Sequence, residues 1–396
     1  MIALVVFLVI GAAAAAILRI PGSLGALFLI GLTVNGIVLF LAGLAHVPLV
    51  FWVLPAASVV VLLFRRPARP PGQRHSIAAT IALALPLVAL IVAAAILPIR
   101  DYDGRVTWLP KAQAIARDHA IDGPFFHGAQ GYNPHNHYPL LMPLDDATAI
   151  ALGSDVESVR WLYVLMVVSL FLVMRDFISE WVVAGAAWLP ILLAIDGGAL
   201  AAYNDFAVCA FVGMAILSPE TRALFLAALV LTKNEGAVLA AAIVVALLAT
   251  RRVRWTIVVA PLLAAAALAL WRMHIPAAYD EQYGVLVRDL PLHRFPAALL
   301  ALAKHAWDPG EWGWFWPWTL AAAAVALARR RAAEIAVPAI VIVLALLADT
   351  LALTVTSWRI EELASVAANR LLVHLLVPAC VIVACGIRQS SRAEAP

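Results

Sequence analysis

Charge is what this sequence has least of. Asp, Glu, Lys and Arg make up 13% of its 396 residues, about half of the roughly 25% usual in a soluble domain. Apolar residues fill 64% of the chain, and the mean hydropathy is +0.96. A water-soluble globule of this size would have to spread much of that apolar side chain over its surface. The scarcity of charge therefore excludes a soluble enzyme, a nucleic-acid-binding protein and a disordered scaffold. Alternation is lacking too. The apolar stretches run on for about 20 residues, where the strands of a membrane barrel would alternate over about ten. Cysteine is nearly absent: Cys209, Cys380 and Cys385 all lie inside apolar runs. That speaks against a disulfide framework or a zinc site and for small buried hydrophobes. The opening Met1-Ile2-Ala3-Leu4 has no basic segment of the kind a cleaved signal peptide carries, so the first run reads as a retained span. No glycine-rich phosphate loop or dinucleotide fingerprint follows a strand-like segment. What is left is an all-α polytopic membrane protein.

Apolar runs place spans near 2–18, 22–45, 48–64, 77–99, 158–174, 180–196, 199–217, 254–273, 314–328, 333–354 and 370–387. This amounts to about 11 full spans. A further stretch, 223–249, is interrupted by Thr232-Lys233-Asn234-Glu235-Gly236 and is too short for two crossings of about 20 residues each. It reads as a helical hairpin entering from the cytoplasm, with its turn at membrane depth, which is tolerated only inside protein or beside a watery cavity. Basic clusters at Arg65-Arg66 with Arg69 and Arg74, at Arg251-Arg252 with Arg254, at Arg329-Arg330-Arg331, and at Arg388 with Arg392 set the cytoplasmic side. That side then holds fifteen Lys/Arg and five Asp/Glu, against twelve and nineteen elsewhere. The whole reads as one polytopic domain. Additional N-terminal spans occupy 1–76, and a core over 77–273 carries the external loop 100–157. A second external loop and the last spans occupy 274–396. The chain is expected in the inner (plasma) membrane, with its working face outside.

The first external loop opens with Asp101 and Asp103 directly after a span, followed by residues amphipathic at helical spacing. Trp108, Leu109, Ala112, Ile115 and Ala116 share one side, with Lys111, Arg117 and Asp118 on the other, as in a helix lying in the interface plane. A partly desolvated carboxylate there suits a general base for a hydroxyl. The same acids would equally serve as helix caps. Further on, Tyr132-Asn133-Pro134-His135-Asn136-His137-Tyr138-Pro139 brings two histidines beside polar aromatics. These side chains suit a sugar hydroxyl, a metal, or plain loop structure. Asp101, Asp103, His135 and His137 have the donor chemistry for a divalent ion, although their spacing does not require one. Asp145 and Asp146 follow in an apolar context, facing the same cavity or water.

An acid leaving a span (Asp103), an amphipathic jaw over 106–117, Tyr138-Pro139-Leu140-Leu141, Gly153 and an Arg-led span at Arg160 together resemble the GT-C superfamily of integral-membrane glycosyltransferases. The likeness is to the bacterial family 39-type enzymes related to lipid A aminoarabinose transferase and protein O-mannosyltransferase. Tyr203-Asn204-Asp205-Phe206, the turn Leu231-Thr232-Lys233-Asn234-Glu235-Gly236 and Asn369-Arg370 extend it over roughly 80–393. Two departures stand out: three additional spans precede the jaw acid, and Gly104 follows Asp103 where those branches commonly carry Glu. The resemblance implies a polyprenyl-phosphate-linked sugar as donor, among membrane lipids. It also implies a lipid, glycan or protein acceptor outside, and Asp103 as the base.

Glycosyl transfer needs a proton acceptor, tolerance of oxocarbenium-like charge, and cations for the leaving phosphate. Asp205 is expected six residues into its span, roughly 9 Å deep, where a carboxylate usually faces a cavity. Lys233 and Glu235 at the hairpin tip either neutralise each other or line the lipid-phosphate cavity. Arg370, expected at the outer end of the last span, either snorkels to head groups or meets phosphate. Asp349 is similarly placed but matches no motif. Trp307, Trp312, Trp314, Trp316 and Trp318 read as an interfacial belt. Two other functions accommodate intramembrane charge: a transporter or flippase of lipid-linked glycans, and a non-catalytic partner in envelope assembly.

Overall fold

The computed structural model describes residues 2–68, 75–128, 135–193, 199–278, 291–356 and 358–388. Arg69, Arg74, Tyr132, Asn133, Pro134, Arg392 and part of the second external loop lie outside these residues. The described chain is helical, with one isolated bridge between Pro21 and Ala68 and no strand. The first helices are α1 (Ile2–Leu18), α2 (Leu24–Leu44), α3 (Val53–Phe64), α4 (Ile77–Ile96), α5 (Leu109–Asp118), α6 (Pro124–His127) and α7 (Leu141–Ala151). Then come α8 (Arg160–Phe177), α9 (Glu180–Ala187), α10 (Pro190–Leu193), α11 (Asp205–Leu217), α12 (Arg222–Thr232), α13 (Asn234–Ala249) and α14 (Trp255–His274). The remainder are α15 (Phe295–Ala306), α16 (Pro309–Trp312), α17 (Phe315–Ala328), α18 (Ala332–Val355), α19 (Ile360–Val373) and α20 (Leu376–Ile387).

Among the described residues, five helices are long and apolar enough to cross a membrane: α2, α4, α8 with the short turn before it, α14 and α18. A sixth crossing results if α19 and α20, bent by 54°, count as one. The expectation of about 11 full spans is therefore corrected downward. A crossing takes about 20 residues at 1.5 Å each, and several apolar runs are broken before they reach that length. The run 180–196 stops at Ala187, and Pro190, which has no N–H to donate, starts a new turn. The run 199–217 contains Ala202 in the left-handed region, so its helix begins only at Asp205. The last run bends where Pro378 cannot donate to the carbonyl of His374.

Along α4, Ile77, Ile81, Leu85, Val88, Val92 and Ile96 are exposed, while Leu83, Leu87, Leu90 and Ala94 are buried. Such an apolar stripe has lipid as its natural solvent. Inside, one apolar cluster runs from Ala3 to Cys380. α2 packs on α7 and α8, α12 on α14, α5 on α7, and α15 on α19.

The interrupted stretch 223–249 is two helices, α12 and α13, separated by Lys233 in an extended conformation (φ −161°, ψ 158°). A Cβ on Gly236 would stand 2.2 Å from the Leu229 carbonyl oxygen. Residues seven apart in an unbroken helix are separated by about 10 Å along the axis, so the chain doubles back at Lys233, and glycine is what permits the close approach.

The expected jaw over 106–117 is a π-helical turn, Gly104–Trp108, continued by α5. It packs against α7 and does not lie open on the surface. Lys111, placed by the helical pattern on the polar side with Arg117 and Asp118, is only 1% exposed. The pattern is overridden because its ammonium donates to the His135 carbonyl and lies 5.5 Å from the Trp108 ring centre and 6.0 Å from that of Tyr138.

Candidate functional site

Four distant segments meet at one charged centre. Asp103 leaves α4, Asp205 opens α11, Lys233 and Glu235 come from the turn between α12 and α13, and Arg370 and His374 come from the end of α19. Arg370 donates through Nη1 to Asp103 Oδ2 at 2.8 Å and through Nε to Asp205 Oδ2 at 2.9 Å. Lys233 Nζ donates to Asp205 Oδ1 at 2.7 Å and stands 3.3 Å from Glu235 Oε1. His374 Nε2 lies 3.0 Å from the same Asp205 Oδ1 and donates in the tautomer protonated there. Asp205 is wholly buried, as nearly are Lys233 and His374, whereas Asp103, Arg370 and Glu235 keep part of their side chains open. The hub carboxylate holds three donors, and the outer acid shares one guanidinium with it.

Helix termini support this arrangement. Asp205 and Glu235 sit in the first turns of α11 and α13, and Arg370 in the last turn of α19. Acids at amino ends and a cation at a carboxyl end each fit the helix dipole. Two expectations are corrected here. Asp205 is the first residue of its helix, not six residues into a span. Arg370 lies three residues before the bend between α19 and α20, because the helix that carries it starts ten residues earlier, at Ile360.

Tyr203 and Asp101 form the outer wall. The Arg370 guanidinium carbon lies 4.2 Å from the Tyr203 ring centre. The Tyr203 hydroxyl donates to Asp101 and accepts from the Asp103 N–H at 3.3 Å. Gly104 allows this approach: a Cβ there would come within 2.4 Å of the Ala201 carbonyl. Asp103 makes no side-chain cap to the turn that follows it, so the capping alternative is not what occupies its carboxylate.

The remaining sequence candidates form a neighbouring group. The His135 and Tyr138 rings stack at 4.4 Å, next to Lys111. Tyr138 packs against a small cluster of Trp108, Ala201 and Tyr203, which joins this group to the charged centre. His137 is directed elsewhere: its Nε2 lies 2.7 Å from the Ile275 carbonyl, while its own carbonyl accepts from Arg272 at 2.9 Å. Arg272 also donates to Asn234 at 2.6 Å, tying the external loop to the hairpin turn. Among the described residues no three His, Cys, Asp or Glu side chains come together as a metal site would. Asp349 is buried near Lys233 and Glu235, within reach of both charges. Of the tryptophans, Trp307, Trp314 and Trp318 are exposed as an interfacial belt would be. Trp316 is buried, and so is Trp312, which donates to Asn369 at 3.0 Å, beside Arg370.

Sequence reasoning missed His374. Its signal was present: it follows Arg370 by four residues, so the two share a helix face. Tyr203 was quoted within a motif but given no role of its own. The exposed Asp155 accepts from the Ser158 hydroxyl and N–H, which hold its carboxyl below the ordinary value.

Comparison with known protein families, with curated proteins and with solved structures gives no match to this chain.

Proposed function

We propose that the chain is a membrane glycosyltransferase that moves a sugar from a polyprenyl-phosphate donor to an acceptor hydroxyl on the external face of the inner membrane. The observation that carries this reading is the Arg370 guanidinium bridging Asp103 and Asp205, with Lys233 on the far side of Asp205. A carboxylate that is part open stands beside two cations anchored to a buried acid, which is the pairing that base-assisted displacement of a phosphate calls for.

In this mechanism the acceptor oxygen attacks the anomeric carbon and its proton passes to Asp103. The bond from the sugar to phosphate breaks, and the electron pair leaves on polyprenyl phosphate. Arg370 and Lys233 offset the charge that grows there. Arg370 holds Asp103 in the resting chain, so donor phosphate competes for the guanidinium and leaves the carboxylate available as a base. Asp205 and His374 fix the cations. Asp101 acts through Tyr203, and the stacked His135 and Tyr138 stand next to that wall.

The test is release of polyprenyl phosphate from a polyprenyl-phosphate sugar by the purified protein, with Asp103→Asn as control. Release by the wild type and not by the variant supports the reading. Equal or absent release in both ends it. A chelator in the same assay decides whether a divalent ion contributes.

A second reading has one observation in its favour. Lys233 sits at a break between two short helices inside the bundle, as substrate-binding charges do in transporters. Movement of the lipid-linked glycan across a vesicle bilayer without its cleavage would favour that reading. An assembly partner would do neither.

A further inference from the structure

A second pair of acids lies apart from the charged centre. Asp145 and Asp146, in the middle of α7, are both wholly buried. No cation reaches either one among the described residues. Asp145 Oδ1 accepts from Asn35 Nδ2 at 2.8 Å, and that amide also donates to Thr148 Oγ1 at 2.9 Å. The Thr148 hydroxyl sends its own hydrogen to the Leu144 carbonyl. Asp146 Oδ2 accepts from the Tyr163 hydroxyl at 2.9 Å. The same hydroxyl points to Asn204 Oδ1 at 3.3 Å, and Asn204 Nδ2 donates to the Thr232 carbonyl at 3.4 Å.

Counting hydrogens exposes a deficit. Three buried oxygens have no donor: Asn35 Oδ1, Asp145 Oδ2 and Asp146 Oδ1. Tyr163 has one hydrogen and two acceptors to serve. The elements packed against α7 bring no compensating charge. α1 and α2 contain no titratable residue. On α5, Lys111 is engaged by the His135 carbonyl, and Arg117 pairs with Asp118. On α12, Arg222 donates to the carbonyls of Ala215 and Ile216. In the turn before α8, Glu157 pairs with Arg105 and Arg160. Two ionised carboxylates without a cation are strongly disfavoured in such surroundings.

We infer that α7 carries a proton-binding site in which Asp145 and Asp146 are neutral acids. A proton on Asp145 Oδ2 donates to Asn35 Oδ1, closing a two-bond ring between acid and amide. A proton on Asp146 Oδ2 donates to the Tyr163 oxygen, which releases the Tyr163 hydrogen to Asn204. The first placement gives Asp145 Oδ2 and Asn35 Oδ1 a partner and the second lets Tyr163 serve both of its neighbours, while Asp146 Oδ1 is left as the carbonyl oxygen of a neutral acid, whose burial costs far less than that of a carboxylate. The Asp146 proton thereby sets the direction of Tyr163 toward Asn204, the neighbour of Asp205, and through Asn204 toward Thr232, the neighbour of Lys233. This inference does not depend on the transferase reading.

Infrared spectroscopy of the purified full chain at neutral pH reads the protons directly. Protonated carboxyls absorb above the amide band and shift in heavy water. The expected result is one such band lost in Asp145→Asn and another lost in Asp146→Asn. Asn35→Ala and Tyr163→Phe keep both acids, so each shifts one band, that of Asp145 and of Asp146 respectively, and they decide the matter if the Asn variants do not fold. The inference is overturned if no carboxyl band at neutral pH responds to any of these variants. It is equally overturned if such bands appear only after sodium and potassium are replaced by a bulky organic cation, since a bound metal ion would then be the neutralising charge.

Discussion

Two groups of buried acids lie in this bundle, and they are neutralised in opposite ways. Around Asp205, carboxylates meet an ammonium, a guanidinium and an imidazole at 2.7 to 3.0 Å. Around Asp145 and Asp146, the partners are an amide and a phenol. Burial alone does not decide the state of an acid; what decides it is the residue type that the fold brings within 3 Å. The first group stays charged, keeps parts of Asp103, Arg370 and Glu235 exposed, and ions can compete for it. The second is closed and neutral, and is suited to holding α7 against α2 and α8.

The sharpest way to break the contrast is Asp205→Ala. It leaves Lys233, Arg370 and His374 without their common anion, and removing one partner from a buried pair costs about 3–5 kcal/mol. Thermal unfolding in detergent checks this. A change below about 1 kcal/mol would mean that the hub does not hold the bundle together.

Asp103→Asn comes next. It keeps size and removes basicity, so transfer is expected to fall by about 10²–10⁴ with the unfolding midpoint nearly unchanged. A near-normal rate in the purified variant would pass the role of base to Asp101.

Gly236→Ala strikes the hub from the backbone side. Its methyl group meets the Leu229 carbonyl at 2.2 Å. The turn must open, at a cost of about 1–3 kcal/mol, and Lys233 moves from Asp205. Unchanged stability and unchanged donor use in this variant would show the turn to be more pliable than its geometry.

The smallest effect belongs to the neutral pair. Asp145→Asn replaces one neutral hydrogen-bonding group by another, so its stability is expected to stay within about 1 kcal/mol of the wild type. A loss as large as that of Asp205→Ala would show that Asp145 is charged, and the two groups would no longer differ.

Legibility from the sequence followed the range of the physics. Apolar runs and the paucity of charge identify a helical membrane chain, because transfer of apolar side chains depends only on composition and local order. The break at Lys233 was legible for the same reason: polar residues in mid-run stop a span. Span count was not legible at Ala187 or Asp205, where Pro190 and a left-handed Ala202 divide runs that hydropathy leaves whole. Lys111 was misjudged because helical periodicity shows which side chains share a face but not whether aromatic rings and a carbonyl await the polar one.

The sequence by itself determined the class of solvent this chain lives in, the break at Lys233, and the acids and cations that are out of place among apolar neighbours. Tertiary structure alone decided which of them meet. Asp103 and Arg370 are 267 positions apart, and Asp145 and Asn35 are 110 apart. Pairing over such separations leaves no local pattern, because each contact is set by how distant helices pack. Packing therefore determined that Asp205 received three donors and Asp145 an amide.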